Sequence, residues 1–433
     1  MTPPSDHDAT WDAADWQPQR WDGDKWVDAD PPPTGPPPSA ATGAGGHEAL
    51  ESVGTDGDEE WEYHEVEMEP DRQRQAVVAG GVAITVLLLI AAVAVALTGG
   101  GSPDAVAVGG STLGTKGNGT SVPPRKNAAL TGLPGDPAKL NRPALVVKID
   151  NVDVGARPQS GINQADIVFE EKVEGPNSRF AAIFQSADAP LVGPIRSGRT
   201  TDLAILDALN KPLFVFSGAN PTFRPRFAEA NIVDLGADDL ANAGLYERIA
   251  GREAPYNLYS DTGKVWGKAG GDRPPRAMFT YRKADEGPSS GRPVSGLRYE
   301  WGGGKNPVGF TWDATKRSWT RTQNDTPHVD DKGVQIAPIN VLVFYVDYID
   351  TGVRDVAGTP VPEAVFDGTG EALVFTDGQL VQATWSKSVE SPVVVADNDG
   401  KAVGLTPGRT WIALVPKGLA TVINRTDTPP PTR

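Results

Sequence analysis

The chain contains no cysteine. Its absence excludes a disulfide framework, a thiolate metal site, a cysteine nucleophile and a lipidated cysteine. Histidine is almost as scarce: of four, His7, His47 and His64 lie in the first 75 residues, leaving His328 alone in the remainder. A serine–histidine–aspartate triad would therefore have to use His328, which sits in TPHVDD and reads as a turn residue. Basic residues are outnumbered, 40 to 56, for a net charge of -16, which argues against a nucleic-acid binder. No metal site and no cofactor is assigned.

The acid is concentrated. Residues 1–75 hold 19 carboxylates and 4 basic side chains, whereas the rest of the chain is close to neutral. Low hydrophobicity, high net charge and the polyproline-like PPPTGPPP predict a disordered acidic tail over 1–75. Within it, WDAADWQPQRWDGDKW spaces Trp11, Trp16, Trp21 and Trp26 five apart. Trp21-Asp22-Gly23 with Trp26 resembles the short tryptophan module DUF2510. Two readings stand: a sticky linear motif in a disordered tail, or a small folded module.

From Gln75 to Pro103 there is no charged residue. As a helix, residues 76–98 would extend roughly 34 Å, enough to cross a hydrocarbon core of about 30 Å, so the segment predicts one transmembrane helix. Arg72 and Arg74 precede it and the next basic residue is Lys116, which puts the N-terminus in the cytoplasm and the body outside. Residues 99–126 are a Gly/Ser/Thr/Pro linker.

The body is expected to be α+β in two domains. Residues 127–285 alternate strand and helix signals: PALVVKID (Pro143–Asp150), a hairpin of ADIVFEEKV and RFAAIFQS around Gly175-Pro176-Asn177, a helix over Thr200–Asn210 with Thr200 or Thr201 as N-cap, then PLFVFS and RAMFTY. Residues 292–425 carry short runs separated by Gly/Asp/Asn turns and predict an antiparallel β-rich domain, a sandwich or barrel.

The richest stretch for chemistry is LVGPIRSGRTTDLAIL (Leu191–Leu206). Arg196 and Arg199 precede the expected helix, so their guanidinium groups and the amides of Ser197, Thr200 and Thr201 could hold a phosphate or carboxylate. Asp202 could bind a metal or position a hydroxyl. The rival arrangement is ion pairing of Arg196 and Arg199 with Glu170 and Glu171. Strand alternation sends those two glutamates to opposite faces, which disfavours a paired-carboxylate centre.

NRPALVVKIDN, RPQSGINQADIVFEEKVEG, VGPIRSGRTTD and REAPYNLYS resemble the N-terminal domain of the YerB-like family, domain of unknown function 3048. PHVDDKGVQIAPINVLVFYV, FTDGQLVQATWS and LTPGRTWIALVP resemble its C-terminal domain. The resemblance covers about 290 residues in order and implies an envelope protein on the outer face of a bacterial cytoplasmic membrane. Some relatives look like lipoproteins; this chain would use a helix instead. The expected function is a membrane-anchored binding module for an anionic envelope component or a wall-synthesis protein. The envelope component would be a glycan or a phosphate-bearing precursor. The alternative is a metal- or arginine-assisted enzyme acting on a phosphate-bearing polymer or precursor.

Overall fold

The computed structural model describes residues 127–283, 285–355 and 357–425, and the backbone of Pro18–Trp21 and Trp26–Asp28. The two short segments are strands β1 and β2, an antiparallel hairpin pairing Trp21 with Trp26. The described body opens with the one-turn helix α1 (Pro137–Leu140), capped by Asp136. Strands follow as β3 (Leu145–Asp150), β4 (Ile167–Lys172), β5 (Ser178–Phe184), β6 (Leu213–Val215), β7 (Val233–Asp234), β8 (Tyr246–Arg248) and β9 (Leu258–Ser260). Helix α2 (Thr200–Leu206) lies between β5 and β6, α3 (Arg224–Glu229) between β6 and β7, and α4 (Thr262–Ala269) after β9.

The later part is almost all strand: β10 (Arg292–Tyr299), β11 (Val308–Asp313), β12 (Ser318–Gln323), β13 (Thr326–Pro327), β14 (Asn340–Val346), β15 (Tyr348–Arg354) and β16 (Pro360–Ala364). It closes with β17 (Gly368–Thr376), β18 (Gln379–Lys387), β19 (Val394–Asp397), β20 (Thr410–Pro416) and β21 (Ala420–Asn424).

Pairing joins the two sequence segments. The larger sheet runs β7-β6-β3-β5-β4-β20-β14-β17-β18-β19. β20, from the C-terminal segment, lies parallel to β4 on one side, with Trp411 opposite Val168, and parallel to β14 on the other. A second sheet runs β13-β12-β11-β10-β21, with β1 pairing along β21. β10 starts beside β18 and crosses into the second sheet. β15 and β16 form a separate ribbon, as do β8 and β9.

Alternation along the strands builds two apolar layers. Val147, Phe180, Val343 and Trp411 face Leu297, Tyr299, Phe310 and Trp319 of the second sheet. Val146, Phe169, Leu342 and Ile412 face Ile205 and Leu206 of α2, Phe227 of α3 and Phe366. Each layer draws on both segments, so the described body is one unit. Separate cores for 127–285 and 292–425 were expected because the length of the body supports two of roughly 150 residues each. The C-terminal segment does not close into a sandwich or barrel of its own, since β20 leaves it to pair with β4.

Local expectations fared unevenly. The β4–β5 hairpin turns at Gly175-Pro176-Asn177 as its sequence indicates. Helix α2 starts at Thr200, but its N-cap is Arg199, not Thr200 or Thr201. RAMFTY forms no strand; Tyr281 makes a single bridge to Leu405. His328, expected in a turn, follows β13 directly and is buried. Among the described residues no helix is long and apolar enough to cross a membrane; the expected span over 76–98, the linker and most of the acidic tail lie outside them.

Candidate functional site

Three strands and one loop bring an unusual number of charges into the sheet. β3 is buried along its whole length although it carries Lys148 and Asp150. Lysine is almost never fully buried unless paired. On the helix-covered face, Lys148 Nζ donates to Glu171 Oε1 and, at 2.7 Å, to Asp202 Oδ1; all three side chains have 0% exposure. Asp202 also accepts the Arg199 backbone N–H at 2.7 Å, closing the first turn of α2. One ammonium thus faces two carboxylates away from water. Burial, and then repulsion from Asp202, raise the Glu171 carboxyl to about 7 despite Lys148. Glu171 Oε2 and Thr200 Oγ1 have no hydrogen-bond partner among the described residues.

Glu170 points to the opposite face, as strand alternation requires. Its carboxylate accepts from Ser178 Oγ at 2.7 Å, Tyr299 OH at 2.7 Å, Trp411 Nε1 at 3.0 Å and Arg321 Nη2 at 3.0 and 3.1 Å. Arg321 is fully buried among the rings of Phe180, Phe310 and Trp411, and contacts His328 Nδ1. His328 Nε2 meets Gln159 Oε1 at 2.7 Å. Burial first, then Arg321 and Arg157, push the His328 pKa well below its ordinary value. A neutral imidazole enclosed by an arginine and a glutamine serves the core.

The arginine loop lies at the edge of these networks. The Arg196 N–H donates to Lys148 O, the Asp150 N–H to Pro194 O, and the Ile195 N–H to Leu258 O, pinning the loop between β3 and β9. Gly193 has φ 154°, and a Cβ there would lie 2.8 Å from the Tyr259 ring and 2.9 Å from Leu258 O. The glycine therefore permits close packing on β9. Arg196 Nε donates to Asp150 Oδ2 at 2.8 Å, and Arg179 Nε stands 3.6 Å from Asp150 Oδ1. Arg199 forks onto Glu174 with bonds of 3.0 and 2.9 Å. Burial and the neighbouring Arg199 lower the Arg179 pKa to about 10. Burial opposes ionisation of Glu174, but Arg199 outweighs it and holds that carboxyl below its usual range.

Of the residues singled out in the sequence, the structure brings Glu171 and Asp202 onto Lys148, places Arg199 on Glu174, leaves Thr200 Oγ1 without a hydrogen-bond partner among the described residues, and sends Glu170 to the other side of the sheet. Neither Glu170 nor Glu171 pairs with an arginine of the loop; Asp150 and Glu174 do. The N-cap amide is already satisfied by Asp202, whose other oxygen binds Lys148. Lys148, Asp150, Arg179 and Arg321 were missed. The available signal was a lone lysine and a lone aspartate inside an otherwise apolar strand.

The fold and sequence both have relatives. "Putative lipoprotein YerB" of Bacillus subtilis (strain 168) is 28% identical over 302 residues, covering 67% of this chain and 86% of that protein. The crystal structure of YerB from Bacillus subtilis matches with a TM-score of 0.60 at 24% identity, covering 69% of this chain and 99% of that one, a likeness of fold. Residues 130–274 match the family "Protein of unknown function (DUF3048) N-terminal domain", and residues 297–412 match its C-terminal counterpart. The two matched segments are those whose strands interleave through β20, and the chain belongs to the DUF3048 family.

Proposed function

We propose that this chain is an extracytoplasmic cell-envelope protein, held to the membrane by a helix over residues 76–98, whose body binds an anionic envelope component at Arg196. A lipoprotein anchor needs a cysteine, which this chain lacks; the charge-free run supplies the alternative. The observation that carries the ligand assignment is a charge imbalance. Arg179, Arg196 and Arg199 share only Asp150 and Glu174, leaving one guanidinium in excess, and the Arg196 side chain is 31% exposed. A phosphate or carboxylate there would neutralise the excess through charge-assisted hydrogen bonds. An enzyme is the weaker reading, because a catalytic group must touch its substrate and Glu171, Lys148 and Asp202 are sealed in the core.

Thermal melts of the detergent-solubilised protein with inorganic phosphate, pyrophosphate and glycerol phosphate test this. Wild type is expected to be stabilised by at least one of them. Arg196→Lys keeps the charge but loses the fork, and should lose most of that stabilisation. Arg199→Lys should instead lower the melting temperature with or without anion, since its partner is Glu174. Failure of every anion to stabilise the wild type overturns the assignment.

A further inference from the structure

A second surface, remote in chemistry from the arginine loop, is acidic and apolar together. On the helix-covered face, α2, α3 and the β15–β16 ribbon border a groove of about 570 Å³. Three of the eight large apolar side chains left exposed among the described residues meet there: Ile349 at 40%, Val365 at 41% and Val389 at 67%. Exposed apolar residues gathered in one patch and rimmed by polar groups mark interaction sites, whereas scattered ones do not.

The rim has one dominant sign. Asp207, Glu229, Glu363, Asp367 and Glu390 line the groove against a single lining cation, Arg226. Arg226 is committed to Glu363 at 3.1 Å. Lys387 lies beneath, 1% exposed, and bridges Asp367 at 2.7 Å and Asp207 at 3.0 Å. Two cations against five carboxylates leave three negative charges unbalanced. Glu229 and Glu390 are exposed and their carboxylates form no ion pair among the described residues. A second copy meeting this groove with its own is a poor occupant, because the two acidic rims would face each other.

We propose that this groove docks a basic, amphipathic segment of a partner protein. Its apolar side chains would cover Ile349, Val365 and Val389, and its lysines or arginines would meet Glu229 and Glu390. The proposal is independent of the anion site.

The test uses the full-length protein in detergent and a fluorescent twelve-residue peptide of alternating lysine and leucine, followed by anisotropy. Saturable binding is expected, weakening as salt rises because the rim charges are screened. Glu229→Lys combined with Glu390→Lys should weaken it about tenfold, the size expected when two attractive charges become repulsive. Val389→Ser should weaken binding at every salt concentration. All three positions are exposed, so unchanged melting temperatures would show that the fold is kept. Arg196→Lys should leave peptide affinity unaltered. Three results overturn the proposal: equal binding by these groove variants and wild type, equal binding of a glutamate–leucine peptide, or self-association that Val389→Ser disperses.

Discussion

Glu170→Ala would remove the carboxylate that ties the two family segments together. The acid comes from β4; three of its donors, Tyr299, Arg321 and Trp411, come from β10, β12 and β20. After the substitution, Arg321 would keep its charge with no carboxylate partner, at 0% side-chain exposure. Breaking a buried pair from one side costs about 3–5 kcal/mol. The stranded Tyr299 hydroxyl and Trp411 N–H would each add about 1–3 kcal/mol if neither finds a new partner. These losses belong to one network and will not sum, so about 3–5 kcal/mol is the working figure. For a unit of this size that corresponds to a fall of roughly 5–8 °C in Tm. Urea denaturation followed by tryptophan fluorescence measures it, since Trp411 touches the carboxylate. The double change Glu170→Met with Arg321→Met removes both charges while keeping volume, and should recover most of the loss. A loss below about 1 kcal/mol for Glu170→Ala, or a double variant no better than the single, would refute the argument.

Three further outcomes follow from the same geometry. The raised Glu171 carboxyl makes the native state hold a proton that the unfolded chain releases from about 4.5, so its contribution to stability falls as pH climbs to about 7. The depressed His328 acts oppositely, costing stability as pH drops below 6.5. Subtracting the urea stability profile of Glu171→Gln from that of wild type should isolate a component that declines between pH 4.5 and 7; a flat difference contradicts the buried-triad account. Residues 127–285 made alone should be aggregation-prone and lack a cooperative melt, whereas 127–425 should unfold in one transition; a sharp melt of the short fragment would count against the shared sheet. In intact wall-less cells, external protease should remove the body and spare the Trp11–Trp26 region. That outcome decides between two incompatible placements: the β1–β21 pairing sets the tail beside the body, whereas a single span over 76–98 sets them on opposite faces. A Gln19→Cys/Val422→Cys disulfide in the membrane-bound protein would therefore keep the pairing and overturn the proposed orientation.

Legibility followed sequence distance. The β4–β5 hairpin and α2 were readable because each is decided within about a dozen residues, by alternation around a Gly-Pro-Asn turn and by leucines following a polar start. Its N-cap shifted by a residue because Asp202 supplies the acceptor from the third position. TWIALV was recognisable as a strand, but nothing in those six residues says that Trp411 will stand beside Val168. A buried strand with apolar residues on both faces carries no register mark. The arginine loop was found as a cluster, yet its partners were misassigned, because Glu170 and Glu171 are adjacent in the hairpin while Asp150 is 46 residues from Arg196. Arg321 offered one clue: in SWTRTQ it shares the inward face with Trp319 and Gln323.

The position of β20 also sets a timetable. A chain emerging N-terminus first exposes β4 well before the strand that will cover its edge exists, for Thr410 is 243 residues beyond Ile167. Through that interval β4 presents an unpaired row of amides and carbonyls, and Glu170 waits without Tyr299, Arg321 or Trp411. Such an edge invites pairing with the wrong chain, and contacts this remote in sequence form slowly. Export across a membrane would lengthen the wait. A protein built this way depends on whatever shields its first half during delivery, and a premature stop before residue 410 should yield an adhesive fragment instead of a smaller working domain.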